Sequence, residues 1–173
     1  PVAQVNEIGI YRNKYFLPLG FTYNTVRTES EMNRLGHFRD MTMLKAVVVR
    51  DTQLYRVQGL NRFNMGDTVI NLSLVAYDSI TRLLKEDTLT ITSFSQKHIA
   101  GNITTGSTKM LFFSIPYDRG WHIKVNGKGV KPVKVNYGFM GIMLDKGPHQ
   151  VELVFEPRYF KAGMDCSEPR TST

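Results

Sequence analysis

Residues 121–127 read WHIKVNG, in which apolar and polar residues alternate up to an Asn-Gly pair. Alternation with a period of two predicts a half-buried β-strand. Asn126-Gly127 predicts a tight hairpin, because both positions tolerate positive φ. The same kind of pattern continues on both sides of this stretch. The second half of the chain is therefore predicted to fold as short antiparallel strands joined by tight turns.

Further strands are predicted at residues 45–50, 52–57, 68–77, 88–94, 97–104, 111–116, 130–135, 138–144 and 149–156, which are rich in Val, Ile, Thr and aromatic residues. Turn signals at 117–120 and 145–148 separate strands of the second half. Strands at intervals of about eight to twelve residues indicate a sandwich or barrel. The predicted fold is mainly β, an antiparallel β-sandwich that is jelly-roll-like, with one or two short helices near the N-terminus.

The N-terminal helical signal begins at residues 28–31, TESE, which have capping-box spacing. Apolar residues follow at 32, 35 and 38, but Gly36 would interrupt a helix, so two short helices over 29–35 and 38–44 are an equal alternative. Residues 8–23 are predicted to be extended, with a bend marked by Pro18 and Gly20. Residues 79–86 are ambiguous and fit a short helical turn.

The chain has 173 residues, 42% of them hydrophobic and 21% charged, which is typical of one soluble globular domain. It contains no run near the ~20 apolar residues of a membrane-spanning helix, and it does not open with a signal-peptide pattern.

We expect one β-sandwich domain over residues 1–163. The tail, 164–173, lacks aromatic and aliphatic character and is expected to be disordered or of foreign origin. Its Cys166 is the only cysteine, which excludes an internal disulfide.

The formal net charge is +7, and part of the excess is concentrated in one segment. Residues 119–134 contain no acid and five basic residues, namely Arg119, Lys124, Lys128, Lys131 and Lys134. Such a segment favours polyanionic neighbours, for example acidic lipid headgroups, teichoic acids or nucleic acid. The alternative is a solvated face that only keeps the chain soluble.

Candidate ligand-binding residues cluster around the same segment. Trp121 is the only tryptophan, and an exposed indole can stack on a sugar ring. However, it shares a strand face with Ile123 and Val125, which favours a place in the core. The candidate binding residues are therefore Tyr117, Asp118, Arg119 and His122 for polar sugar contacts, and Lys124, Lys128 and Lys131 for an anionic polymer.

Catalytic residues, metal sites and cofactors are not expected. The four histidines have no metal-ligand spacing. Glu152 and Glu156 would lie ~13 Å apart along a strand, whereas a glycosidase pair needs ~5–10 Å. The sequence contains no nucleophile-elbow, phosphate-loop or dinucleotide motif. Nucleic-acid binding is not expected either, since no binding motif is present and the aromatic residues fall at core-facing strand positions.

Several blocks in the second half resemble the C-terminal part of the YfhO family. They are FSIPYDRGW (113–121), VNGK (125–128), VNYGFMG (135–141), KGPH (146–149) and PRYFKAG (157–163). Upstream, YRN (11–13) and LPLGF (17–21) are similar to a second block of that family. The blocks keep their order and span most of the chain.

The resemblance implies a domain of a multi-spanning bacterial membrane protein, a polyprenyl-sugar-dependent glycosyltransferase linked to the glycosylation of lipoteichoic acid or a related envelope polymer. In such proteins the catalytic acid sits on a loop between early membrane helices, a part that this chain lacks. The implied role is a non-catalytic extracytoplasmic domain whose partners are the parent membrane helices and an anionic polymer or glycan. Two alternatives are a free-standing carbohydrate-binding module and a structural domain that packs on its own membrane helices. The family would continue after residue 163 into a membrane helix, whereas here the chain reads MDCSEP (164–169).

Overall fold

The computed structural model describes residues 2–63 and 74–157. The strands are β1 (Ala3–Val5), β2 (Ile8–Ile10), β3 (Gly20–Tyr23), β4 (Thr25–Thr28), β5 (Val47–Val49), β6 (Asn61–Arg62), β7 (Thr90–Phe94), β8 (His98–Thr105), β9 (Lys109–Pro116), β10 (Trp121–Val125), β11 (Lys128–Val130), β12 (Val133–Val135), β13 (Phe139–Leu144) and β14 (Gly147–Phe155). The helices are α1 (Glu29–Asn33), α2 (Arg39–Lys45) and α3 (Leu74–Leu84), with 3₁₀ segments at Gly36–Phe38 and Asp51–Val57.

Two large sheets carry the fold, and β1 pairs with β2 in a separate hairpin. One sheet has five antiparallel strands in the order β11-β10-β14-β8-β7. The other has seven strands in the order β3-β9-β13-β12-β5-β4-β6, antiparallel except where β4 pairs with β5 and β6. The prediction of a mainly β, largely antiparallel fold with short helices is confirmed.

The strand pairing of the second half is nested. Strand β8 pairs with β14 in the five-stranded sheet, and β9 pairs with β13 in the seven-stranded sheet. The hairpin β10–β11 then returns to the five-stranded sheet beside β14. The chain thus alternates between two facing sheets, which is the wrapped arrangement of a jelly roll.

The core between the two sheets is built from alternate residues of the paired strands. Leu111 and Phe113 of β9 meet Ile99 of β8 and Val151 and Leu153 of β14, all of them buried. The other face of the seven-stranded sheet has a second core, which includes Met110 and Phe112 of the same β9 strand. Because both faces of β9 are covered, its residues 110–113 form a continuous apolar run instead of an alternating one.

The N-terminal helices form as the sequence predicts, and the two-helix alternative is the correct one. Thr28 caps α1, and Glu31 completes the capping box with the backbone N–H of Thr28. Gly36 adopts a φ of 53°, a left-handed conformation, and separates α1 from α2. Met32 and Leu35 then cover Val48 of β5.

Residues 130–135 do not form the single predicted strand. They divide into β11 and β12, which belong to different sheets. The break falls at Lys131-Pro132, because proline lacks the N–H that a ladder requires and restricts the residue before it. The chain crosses from the five-stranded to the seven-stranded sheet at this point.

One other predicted strand is wrong, and a second is wrong over the part that the structure describes. Residues 52–57 lie in the 3₁₀ segment Asp51–Val57, where Leu54 and Val57, three positions apart, both pack into the core. Of residues 68–77, those from 74 onward belong to α3, while 68–73 lie outside the described residues. Helix α3 packs Ile80 and Leu84, four positions apart, onto the same core, so the helical reading of 79–86 is correct up to Leu84.

The N-terminal segment is less regular than predicted. Of residues 8–23, only β2 and β3 are strands, and the chain between them is irregular. The tail, 164–173, lies outside the described residues. Where the chain is described, no helix combines the length and the apolar character needed to span a membrane.

Gly101 in β8 is predicted to be intolerant of any side chain. A Cβ at this position would lie 2.6 Å from the backbone oxygen of Thr90. Gly101→Ala should lower the free energy of unfolding by about 1–3 kcal/mol, because strand β7 must shift to make room. Urea unfolding measures this loss. Gly106→Ala is the matched control, since nothing lies within 4 Å of its Cβ, and a loss of equal size there would contradict the packing argument.

Tyr23 provides a test of the second core by pH. Its ring is buried and its hydroxyl donates a hydrogen bond to the Met43 carbonyl at 2.8 Å. Burial raises the pKa of the Tyr23 phenol well above its ordinary value of 10.0. The stability that the buried, protonated phenol contributes is complete below the pKa of Tyr23 in the unfolded chain. It is lost as the pH rises from that pKa towards the higher pKa of the folded chain, because only the unfolded chain ionises in this range.

Tyr23→Phe should therefore flatten the fall in unfolding free energy above a pH of about 10. At neutral pH it should cost about 1 kcal/mol for the lost hydrogen bond. Denaturant titrations at a series of alkaline pH values measure both effects. Tyr55→Phe changes a ring that is 70% exposed and serves as the control; parallel curves for wild type and Tyr23→Phe would refute the prediction.

Candidate functional site

A groove of ≈ 800 Å³ opens at the edge of the five-stranded sheet, where β10 and β11 meet the turn before β10. We call it the basic groove. Its lining consists of Arg56, Tyr117, Asp118, Arg119, Trp121, His122, Ile123, Lys124, Gly129, Val130, Lys131 and Pro132. Four of these residues are permanent cations and one is an acid, so the lining is strongly positive.

The hairpin β10–β11 forms one side of the groove. Asn126 and Gly127 adopt φ values of 50° and 78°, so the two-residue turn is formed as the sequence predicts. Lys124 is exposed on β10, with its Nζ 3.6 Å from a carboxylate oxygen of Glu152. The other oxygen of Glu152 lies 3.2 Å from Nε2 of His98, so this carboxylate is shared. The side chain of Lys124 is 54% exposed, so a ligand can reach its ammonium group.

The turn at residues 117–120 forms the end of the groove, and Asp118 holds its shape. One carboxylate oxygen of Asp118 accepts the backbone N–H of Gly120 at 2.6 Å. Gly120 itself passes close to the end of β14, where a Cβ would lie 2.6 Å from the Glu156 carbonyl. Asp118 therefore shapes the turn that the sequence signal at 117–120 predicts, and Arg119 beside it is exposed.

Trp121 lies at the boundary between the core and the groove. Its ring is half-buried, with its centroid 5.0 Å from that of Phe155 at an interplanar angle of 50°. It also packs on the margin of the core between the sheets, as its place on the face of Ile123 and Val125 predicts. The part of the indole that remains accessible contributes to the groove.

Arg56 is a groove residue that the sequence analysis missed. Its guanidinium donates hydrogen bonds to the carbonyls of Lys131, at 3.0 Å, and Pro132, at 3.5 Å. It thereby holds the segment where the chain changes sheets. Nothing in the sequence links residue 56 to residue 131, because the contact arises only when the 3₁₀ segment Asp51–Val57 packs against the crossing.

Most of the predicted binding residues meet in the basic groove. Tyr117, Asp118, Arg119, His122, Lys124 and Lys131 line it, and Lys128 does not, although it lies on the same hairpin. Whether these side chains bind a ligand stays a prediction. The arrangement can attract an anion, whereas its single carboxylate is already used by the turn. Among the described residues there is no group of three or more His, Cys, Asp or Glu side chains that could hold a metal ion.

Comparison with known protein families finds a match that includes the second half of the chain, where β10 and β11 lie. The model described as "Bacterial membrane protein YfhO" matches residues 68–167, which include β7 to β14. The chain belongs to the YfhO family. A Bacillus subtilis (strain 168) protein named "Uncharacterized protein YfhO" is 43% identical over 51 residues. That alignment covers 30% of this chain and 6% of the Bacillus protein, so the chain spans a small part of that relative's length.

The structure shows where two of the sequence blocks that resemble YfhO lie in the fold. The DRGW block becomes the turn and first residue of β10, and VNGK becomes the hairpin turn. The first block contributes Asp118, Arg119 and Trp121 to the groove lining, whereas VNGK closes the hairpin beside it. The family describes a bacterial membrane protein, which supports membrane association of the protein to which this YfhO chain belongs.

Asp118 and Arg119 should differ in a stability measurement. Asp118→Ala removes the acceptor of the Gly120 N–H and should lower the free energy of unfolding by about 1–2 kcal/mol. Arg119 is an exposed neighbour in the same turn of this YfhO domain. Arg119→Ala should change the free energy of unfolding by less than about 0.5 kcal/mol. Urea unfolding of the two variants measures the difference, and equal effects would argue against the structural role of Asp118.

Proposed function

We propose that this chain is a non-catalytic extracytoplasmic domain of a YfhO-type membrane glycosyltransferase, and that its basic groove binds an anionic envelope polymer. Lipoteichoic acid or a related polymer is the acceptor that the parent enzyme would glycosylate. The domain would hold this acceptor near the membrane surface, and the chemistry would take place elsewhere in the parent protein.

The observation that carries the proposal is the convergence of Arg56, Arg119, Lys124 and Lys131 on one groove. These residues come from separate elements of the chain. A chain of phosphate groups binds to such a surface through many weak contacts that salt screens. Membership in the YfhO family supports a membrane setting for the parent protein. The polymer and the extracytoplasmic side are part of the proposal.

A free-standing carbohydrate-binding module is a second candidate, and Trp121 favours it. The half-buried indole is held by Phe155 and contributes to the groove, which suits stacking on an uncharged sugar ring. A structural domain that packs on its own membrane helices is a third candidate. That function requires exposed apolar residues, and Phe16 is 64% exposed. Tyr159 and Phe160 lie outside the described residues.

Charge reversal tests the polymer proposal. The variant with Lys124→Glu, Lys128→Glu and Lys131→Glu should bind purified lipoteichoic acid at least about tenfold more weakly at low salt, since each cation near an anionic surface contributes about 1 kcal/mol. Raising the ionic strength should reduce the difference between variant and wild type. Isothermal titration calorimetry measures both effects.

The matched control carries Arg34→Glu, Arg50→Glu and Lys146→Glu, three exposed positions outside the groove lining. It has the same net charge as the groove variant and should keep the larger part of the affinity. Equal losses of affinity in the two variants would mean that binding depends on net charge and not on the groove. Salt-insensitive binding of an uncharged glycan that disappears in Trp121→Ala would favour the carbohydrate-binding module instead.

A further inference from the structure

The hairpin β1–β2 has an apolar face that the rest of the described chain does not cover. Its register pairs Ala3 with Ile10 and Val5 with Ile8, so these four side chains lie on one face. Val5 is 57% exposed and Ile8 is 71% exposed, in a domain that buries most of its other large aliphatic residues. An isolated two-stranded hairpin is at best marginally stable in water, so a second surface should normally cover this face.

The segment that follows the hairpin is aromatic and basic, and helix α3 and the turn after it anchor it. Tyr15 packs edge-on against Tyr77 of α3, with ring centroids 4.7 Å apart. The Nζ of Lys85, in the turn after α3, donates a hydrogen bond to the carbonyl of Lys14 at 2.8 Å. Phe16 remains exposed beside this anchor.

Positive charge borders this segment. Arg12, Lys14 and Lys85 line a single concave surface of ≈ 750 Å³ together with Phe16. Within residues 1–16 the only acid is Glu7, which lies in the hairpin turn. An apolar face with aromatic and cationic residues at its border is the composition of protein surfaces that lie in a membrane interface.

We propose that the hairpin β1–β2 and the segment after it form a docking surface for an anionic phospholipid bilayer. Ala3, Val5, Ile8 and Ile10 lie flat against the acyl boundary, while Arg12 and Lys14 contact lipid phosphates. Glu7 at the turn favours this flat arrangement over insertion of the hairpin tip, because a carboxylate is costly inside the bilayer. The bordering cations favour headgroups over an apolar helix of the parent protein as the occupant. This surface is separate from the basic groove and does not depend on its function.

Vesicle co-sedimentation of the 173-residue chain tests the proposal. The wild type should bind phosphatidylcholine vesicles that contain phosphatidylglycerol more tightly than vesicles of phosphatidylcholine alone, and high salt should weaken this binding. Val5→Ser with Ile8→Ser should weaken it at least about tenfold, because two aliphatic side chains lose their apolar environment. Arg12→Gln with Lys14→Gln should weaken binding to the anionic vesicles alone, by roughly tenfold or more.

Phe94→Ser is the control for the loss of an exposed apolar side chain, since Phe94 is 67% exposed on β7, in a different sheet. The groove variant with Lys124, Lys128 and Lys131 reversed is the control for charge. Both should bind vesicles within about threefold of wild type, which is less than the effect of one surface cation. Three outcomes would overturn the proposal: a wild type that does not bind anionic vesicles, hairpin variants that bind as the wild type does, or a loss confined to the groove variant. The first of these would leave a protein surface as the occupant of the hairpin face.

Discussion

Strand β9 is covered on both faces, and the rest of the structure is arranged around that constraint. Leu111 and Phe113 face the five-stranded sheet, while Met110 and Phe112 face the second core under α3 and the 3₁₀ segment Asp51–Val57. A strand in this position must have two covering layers, since four large apolar side chains would otherwise contact water. The five-stranded sheet, in which β8 pairs with β14, supplies one layer, and the first half of the chain supplies the other.

The basic groove is a consequence of how the chain passes between these layers. At Lys131-Pro132 the backbone leaves the five-stranded sheet, and its carbonyls there find a donor in Arg56. This contact satisfies carbonyls that the sheet ladder no longer pairs. It also brings a cation of the first half beside the cations of β10 and β11. The same feature that ends a strand therefore completes a positively charged surface.

The two surfaces of the domain differ in chemistry, which suits a protein of a bacterial membrane family. The groove is polar and cationic, and apart from Arg56 its lining belongs to the segment that matches the family. The β1–β2 hairpin is apolar, lies outside that matched segment, and has cations only at its border. One surface suits a flexible anionic chain and the other a flat interface. On the two proposals above, a domain with both surfaces would hold an anionic polymer near the lipid.

Short-range signals in the sequence determined many of the local elements of this structure. The alternation of 121–125, the Asn126-Gly127 turn and the capping box at Thr28 depend on residues within a few positions of one another, and each forms as predicted. The family resemblance of the second half rests on similarly local blocks. Most of the candidate residues also meet in one groove because they lie on one turn and one hairpin.

Tertiary structure decided what local pattern left open. Residues 52–57 and 74–77 have β-forming compositions, but they belong to the 3₁₀ segment Asp51–Val57 and to helix α3. These two elements pack Leu54 and Val57, and Ile80 and Leu84, into one of the two cores over β9. Residues 130–135 are divided between two sheets. Arg56 contacts the crossing between those sheets, about 75 positions away in the sequence. Neighbouring residues fix turns and caps, whereas burial depends on which distant segment arrives to exclude water, and only the folded chain supplies that segment.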